Sequence, residues 1–88
     1  MSGANISEDA IRGWCLDYMR RTIADPAVSV GPDITFARMG LDSASSAYFV
    51  VELEEWLGIE LDPEIVVTHP TIAELAHHVS GLVSGRDA

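Results

Sequence analysis

The residues of this chain best placed to do chemistry are Gly40-Leu41-Asp42-Ser43-Ala44-Ser45-Ser46. Ser43 follows an aspartate and stands just ahead of a strongly amphipathic acidic stretch, Tyr48 to Leu57. A serine hydroxyl is a poor nucleophile unless a base activates it, and no histidine or lysine lies between Met39 and Thr68. No oxyanion-hole signature accompanies it, which rejects a hydrolytic dyad with a distant histidine. The arrangement instead presents a hydroxyl at a helix start for another enzyme to modify. A purely structural role competes with this reading, because aspartate and serine are both preferred N-caps and either Asp42 or Ser43 suits the position.

The other chemically capable side chains point elsewhere. Cys15 is the single cysteine, so no intramolecular disulfide is open to it. Its place on an apolar helical face reads as a buried, unreactive thiol. His77 and His78 are adjacent, and neighbours on a helix do not converge on one metal as an i, i+4 pair does, so no metal site is expected. Seven acids, Asp42, Glu52, Glu54, Glu55, Glu60, Asp62 and Glu64, fall between Met39 and Thr68 without one basic residue. Such a run is ordinarily a solvated face, but unneutralised like charges cost stability, and no basic i, i+4 partner offsets them here. Set beside the serine, the acids read as a recognition surface for arginine- or lysine-lined enzymes.

Composition narrows the partners further. Five arginines, no lysine and 14 acids give a formal net charge of −9. That balance argues against nucleic acid and anionic membranes, and favours basic protein partners reached by electrostatic steering. Trp14 and Trp56 are therefore expected in or beside the core, not stacked on bases. The hydrophobic fraction of 48% supports a folded chain, and 88 residues make one domain with one core but no deep catalytic cleft. No charged N-terminal region precedes an apolar run as in a secretory signal, and the apolar runs are too short to span a bilayer. A cytoplasmic monomer is the expectation, and the chain reads as free-standing, although a piece of a longer protein would read the same.

The elements that must position Ser43 are helical. Ser7 offers an N-cap, Glu8 and Asp9 suit the first turn, and Ile11, Trp14, Cys15, Tyr18 and Thr22 recur at helical spacing, predicting a helix over about residues 7–24. Asp25-Pro26 stops it. Residues 25–42 hold Pro26, Gly31, Pro32 and Gly40, so a long loop follows, pinned by Val30, Ile34, Phe36 and Met39, with a short helical turn at Thr35–Arg38. The second helix starts near Ser43, turns Phe49, Val50, Leu53 and Leu57 inward, sets Ser45, Tyr48, Glu52 and Glu55 on another face, and ends at Gly58. Asp62-Pro63-Glu64 opens a helix of one or two turns that His69-Pro70 ends. Thr71 and Glu74 form a Thr-x-x-Glu capping box ahead of a stripe of Ile72, Leu75, Ala76, Val79 and Leu82/Val83, with Gly81 and Gly85 fraying the end. The fold class is all-α, a small four-helix bundle of three longer helices and one short helix.

Three segments carry a family resemblance. Phe36-Ala37-Arg38-Met39-Gly40-Leu41-Asp42-Ser43 resembles the loop of acyl carrier proteins that ends in the modified serine. Leu53-Glu54-Glu55-Trp56-Leu57-Gly58-Ile59-Glu60-Leu61 resembles the second half of their recognition helix and the turn after it. His69-Pro70-Thr71-Ile72-Ala73-Glu74-Leu75-Ala76 resembles the start of their final helix, especially in polyketide synthase carriers. The likeness runs from about Ile6 to Val83, with the motifs in family order. It implies a single carrier domain over residues 1–88, with its core at about 6–83 and a disordered tail at 84–88.

The resemblance also implies a chain that is not an enzyme but a substrate for enzymes. In the hands of a phosphopantetheinyl transferase, the Ser43 oxygen attacks the diphosphate of coenzyme A and gains 4′-phosphopantetheine, whose thiol carries acyl groups as thioesters. The phosphodiester would sit at a helix N-terminus, which favours anions. Further implied partners are an acyltransferase, a ketosynthase or an acyl- or aminoacyl-loading ligase. The expected function is an acyl carrier protein of polyketide biosynthesis. A peptidyl carrier of nonribosomal peptide assembly is the alternative, although such carriers more often place glycine-histidine or a similar pair where this chain has Leu41-Asp42. The rival from another class is a helical protein-interaction module in which Ser43 only caps.

Two departures from the family fall on the surface a partner would grip. Ala44 stands where leucine or isoleucine usually follows the serine, and Tyr48 occupies a position that is often acidic. Tyr48, with Val51 beside it, either replaces the missing leucine as an apolar anchor or folds back over Leu41 or Ile65. The partner-facing set is expected to comprise Asp42, Ala44, Tyr48, Val51, Glu52, Glu55, Glu60 and Ile65.

Overall fold

The computed structural model describes residues 6–23 and 25–86, the last three of them by backbone alone. Among the described residues four helices follow in order: α1 Glu8–Thr22, α2 Ser43–Leu57, α3 Ile65–Thr68 and α4 Ile72–Arg86. This is the expected all-α arrangement of three long helices and one short one. Among the described residues the sole β-type pairing is an isolated bridge between Thr35 and Thr71.

Helix α1 starts where its cap requires: Ser7 is extended, and its Oγ accepts the Ala10 N–H at 3.1 Å. Its buried stripe is Ile11, Cys15 and Met19. Trp14 and Tyr18 are only part-buried and Thr22 is exposed, so the helix is rotated from the expected stripe. The cause is α2. The Trp14 and Tyr18 rings lie 6.2 and 5.3 Å from that of Phe49, so they form the flank that meets α2, while α1 also packs along α4. Trp56 stacks on Trp14 at 5.3 Å and stays 38% exposed, at the edge of the bundle.

Phe49, Val50 and Leu53 carry α2 into the core. Gly58 ends the helix at φ 75°, a left-handed value that favours glycine, and its N–H reaches the Glu54 carbonyl at 2.7 Å. The long loop is tied down by side chain and backbone together. Phe36 and Met39 are buried, with Val28, Val30 and Ile34 packed beside them. The Phe36 N–H donates to the Pro70 carbonyl and the Ala73 N–H to the Pro32 carbonyl, both at 2.9 Å, which stitches the loop to the start of α4. The turn expected at Thr35–Arg38 is present: the Met39 N–H donates to the Thr35 carbonyl at 3.1 Å, and Thr35 Oγ1 accepts the Arg38 N–H at 3.2 Å.

Asp62 accepts the Glu64 N–H at 2.9 Å and turns the chain into α3, whose Ile65 enters the core. Thr71 Oγ1 accepts the Glu74 N–H at 3.2 Å and donates to the Glu74 carboxylate at 3.1 Å, opening α4. Ile72, Leu75, Ala76, Val79 and Val83 are buried as the stripe requires, and Leu82 is outside it. The helix runs on through Gly81 and Gly85 to Arg86, past the expected fraying point. A helical glycine costs only about 1 kcal/mol relative to alanine, less than buried Val79 and Val83 return by packing. Residues 87 and 88 of the expected tail lie outside the described residues. Among the described residues no helix is long and apolar enough to cross a membrane.

Candidate functional site

The start of α2 divides its labour among three side chains. Asp42, in extended backbone, is the N-cap: Oδ1 accepts the Ser45 N–H and the Ser45 hydroxyl, each at 2.9 Å. Ser45 Oγ in turn accepts the Asp42 N–H at 3.0 Å, closing a capping box. Hydrogen bonds from the Ser45 backbone, then its side chain, hold the Asp42 carboxyl below its ordinary value of 3.8, against a smaller opposing effect of desolvation. Capping therefore falls to Asp42 and Ser45. Ser43 is the first helical residue and exposed, and among the described residues no hydrogen bond engages its hydroxyl.

Gly40, at φ 93°, turns the chain from the Phe36–Met39 turn towards this cap. Ser43 then lies on the rim of a cleft of about 500 Å³ between that turn, the first turns of α2 and α3. Leu41, Ala47, Val66 and Val67 supply apolar wall, and Asp42, Ser46 and Glu64 polar rim. Neither histidine nor cysteine lines it. Cys15 is buried, and desolvation pushes its thiol up to about 12, which keeps it protonated and inert. His69 stacks on His78 at 4.1 Å, and His77 Nδ1 lies 3.3 Å from Glu8 Oε1. No three metal-ligating side chains converge among the described residues.

The cleft suits a slender ester on Ser43. Among the described residues no hydrogen bond engages the hydroxyl, the first backbone N–H groups of α2 favour an anion there, and Leu41, Ala47, Val66 and Val67 line the cleft beside it.

Most of the expected partner-facing residues are outward. Ala44, Glu52, Glu55 and Glu60 are exposed, and Tyr48 and Val51 are 71% and 49% exposed. Most of Tyr48 stands in solvent, which favours the anchor over packing on Leu41 or Ile65. Ile65 is a correction: at 3% exposure it is a core residue. Residues two apart on a helix face about 200° apart, so seating Ile65 in the core turns Val67 outward, where it is 68% exposed and lines the Ser43 cleft. The hydrophobic run Ile65-Val66-Val67 is too short for periodicity to tell which member faces in. Glu54 also leaves the outward acidic set, because its carboxylate accepts the Leu61 N–H at 2.6 Å and closes the turn after Gly58.

The sequence model of the family described as "Phosphopantetheine attachment site" matches residues 16–79. The chain is 32% identical over 80 residues to a subunit of the phenolphthiocerol/phthiocerol polyketide synthase of Mycobacterium tuberculosis, with the match spanning 91% of this chain and 4% of that protein. The corresponding Mycobacterium bovis protein matches equally. Among solved structures, the chain is similar to the NMR structure of the HMG-ACPI domain from the CurA module of Lyngbya majuscula, with a TM-score of 0.80, 16% identity and coverage of 93% and 83% of the two chains. At that identity the likeness speaks for fold alone. It is also similar to a free-standing peptidyl carrier protein from an uncharacterized secondary metabolic pathway of Acinetobacter baumannii, with a TM-score of 0.73, 26% identity and coverage of 86% and 96%.

Proposed function

The chain belongs to the phosphopantetheine attachment family, whose members receive 4′-phosphopantetheine as a prosthetic group, and on that premise we propose that it is an acyl carrier protein of polyketide biosynthesis loaded at Ser43. The observation that carries this reading is the reciprocal Asp42–Ser45 cap, which leaves the Ser43 hydroxyl unengaged at the first position of α2. The similarity to part of a polyketide synthase over 91% of the chain supports an acyl rather than an aminoacyl cargo.

No histidine lines the Ser43 cleft and the Asp42 carboxylate is committed to Ser45, so the group that removes the serine proton comes from the loading enzyme. The N–H groups at the start of α2 would hold the phosphodiester of the prosthetic group and neutralise part of its charge. The prosthetic group supplies a thiol that carries acyl chains as thioesters. Leu41, Ala47, Val66 and Val67 offer apolar wall along which the arm can lie, away from water. Glu52 and Glu55, exposed on the later turns of α2, and exposed Glu60 beyond its end offer charge that draws basic partners to this helix. The chain is thus delivered to enzymes and performs no catalysis of its own.

Incubation with coenzyme A and a broad-specificity phosphopantetheinyl transferase, followed by intact and peptide mass spectrometry, tests the proposal. One arm is expected on Ser43 and none on Ser43→Ala. Modification at Ser45 or Ser46, or none at all, would overturn it. Offering the loaded protein to an acyltransferase and to an aminoacyl-adenylating ligase separates acyl from peptidyl carriage.

A further inference from the structure

Helix α3 lines the Ser43 cleft through Val66 and Val67, yet it is four residues long and its N-cap, Glu64, makes no side-chain capping bond. One turn of helix has little stability of its own, so its position depends on what it leans on. At its first residue Ile65 is buried in the core. At its end His69 closes the helix, and the His69 ring stacks on that of His78 from α4, with centroids 4.1 Å apart and planes 19° from parallel. Both residues are half-buried. His69 also precedes Pro70, whose carbonyl accepts the Phe36 N–H at 2.9 Å, and Phe36 and Ala37 line the same cleft. His69 thus adjoins the ties that seat both the helix and the turn. We propose that the His69–His78 stack is a proton-sensitive latch, which holds the end of α3 against α4 at neutral pH and releases it, with the Val66–Val67 lining of the Ser43 cleft, in mild acid. The latch belongs to the fold; that its release alters the surroundings of a loaded serine rests on the carrier reading.

Imidazole is the side chain whose charge changes just below neutral pH. A first proton finds an acceptor, because His69 Nδ1 lies 2.9 Å from Thr68 Oγ1. A second sets like charges about 4 Å apart, where they repel well beyond thermal energy at the effective dielectric of a protein surface. Separated rings take up that proton more readily than stacked ones, so falling pH favours release. Among the described residues no carboxylate is paired with either ring. Glu74, one turn before His78 on α4, is bound to Thr71, and Asp62 accepts the Glu64 N–H. Glu64 at the head of α3 and Asp33 in the loop beside Pro32 are exposed. From α1, Glu8 meets His77 at 3.3 Å and Arg12 at 3.2 Å. A proton on His77 strengthens its contact with Glu8, so acid ties α4 more firmly to α1 while it frees α3.

The test is amide hydrogen exchange, expressed as protection relative to an unstructured chain, at about pH 7.5 and at about pH 5.5, which lies above the ordinary carboxylate range. The Thr68 and His69 amides donate to the Glu64 and Ile65 carbonyls at 3.0 and 2.9 Å. Their protection is expected to fall by about threefold or more in the acid sample, with the Val66 and Val67 methyl NMR signals shifting in step, while the Val79 amide in α4 holds. His78→Phe keeps a flat ring against His69 without its charge and should abolish the acid response. His69→Phe does so from the other side if His78→Phe does not fold, and His77→Gln should leave the response in place. An acid sample that matches the neutral one, an equal loss in a folded Phe variant, or amides that follow the His77 ring signals and not those of His69 and His78, would overturn the latch. Loading of Ser43 at neutral pH, read by mass on the same samples, separates the two readings. Failed loading with an intact acid response would strike the carrier reading alone, and loading without an acid response the latch alone.

Discussion

Replacing Asp42 and Ser43 in turn separates capping from chemistry at the start of α2. Asp42 and Ser45 share four hydrogen-bond contacts: the Asp42 carboxylate accepts the Ser45 N–H and hydroxyl at 2.9 Å, its carbonyl lies 3.5 Å from that hydroxyl, and its N–H donates to Ser45 Oγ at 3.0 Å. Asp42→Ala removes the two carboxylate bonds and leaves Ser45 half of a box. A cap of this kind in a chain of this size corresponds to a fall in melting temperature of about 4–8 °C. Ser43→Ala removes a hydroxyl that holds nothing and installs a better helix former, so the melting temperature should stay within about 3 °C of the parent. Loading should vanish in Ser43→Ala and persist in folded Asp42→Ala. Circular dichroism melts at neutral and acid pH, with mass spectrometry of each variant, read both quantities. The pH dependence has a definite sign. Asp42 titrates below 3.8 in the folded protein, so its contribution is complete above that value and is lost as pH falls through the lowered folded value. Parent and Asp42→Ala should therefore converge in strong acid. A Ser43→Ala protein that melts as low as Asp42→Ala, or a deficit in Asp42→Ala that persists unchanged in strong acid, would refute the division of labour.

The remaining predictions concern the surface and the core. Glu52→Lys with Glu55→Lys leaves Phe49, Val50 and Leu53 untouched, and should weaken transferase binding by about tenfold and flatten its salt dependence, as affinity measured against ionic strength will show. Tyr48→Ala should cost partner binding about 1–2 kcal/mol with little change in melting temperature, since the ring is 71% exposed; a clear thermal loss would instead assign it to packing. Cys15 should resist iodoacetamide in native protein and react on unfolding. Because its ionisation moves from 9.0 to about 12, its contribution to stability is complete below 9.0 and is lost as pH rises towards about 12, which denaturant titrations across that range can follow.

Local signals carried most of the fold. The Ser7 cap, the Gly58 terminus and the Thr71–Glu74 pair each rest on residues within a few positions of one another, and each has its expected hydrogen bonds. What required the third dimension was rotation and long-range ties. Met19 replaced Thr22 in the buried stripe because Trp14 and Tyr18 turn towards Phe49, a preference set by another helix. The bonds from Phe36 to Pro70 and from Ala73 to Pro32 join residues more than thirty positions apart, and no spacing rule anticipates them. At the site, the identities Asp42 and Ser43 were legible but their roles were not. Either residue could cap by propensity, and only the geometry of Ser45 assigns the cap to Asp42.

That assignment bears on why a reactive position can be so plain. A serine engaged in capping would have to break its own hydrogen bond before modification, at a cost near that of a lost cap, about 1 kcal/mol. Here Ser45, two residues further on, takes up the bonds, so esterification of Ser43 would leave the cap intact. Modification then adds charge at the end of the helix that tolerates it. The same economy explains the apolar residues around it. With Ala44 small, Tyr48, Val51 and Val67 are exposed apolar groups on α2 and α3. Replacing Tyr48, Val51 or Val67 should thus alter contact with partners while leaving the Asp42–Ser45 cap in place.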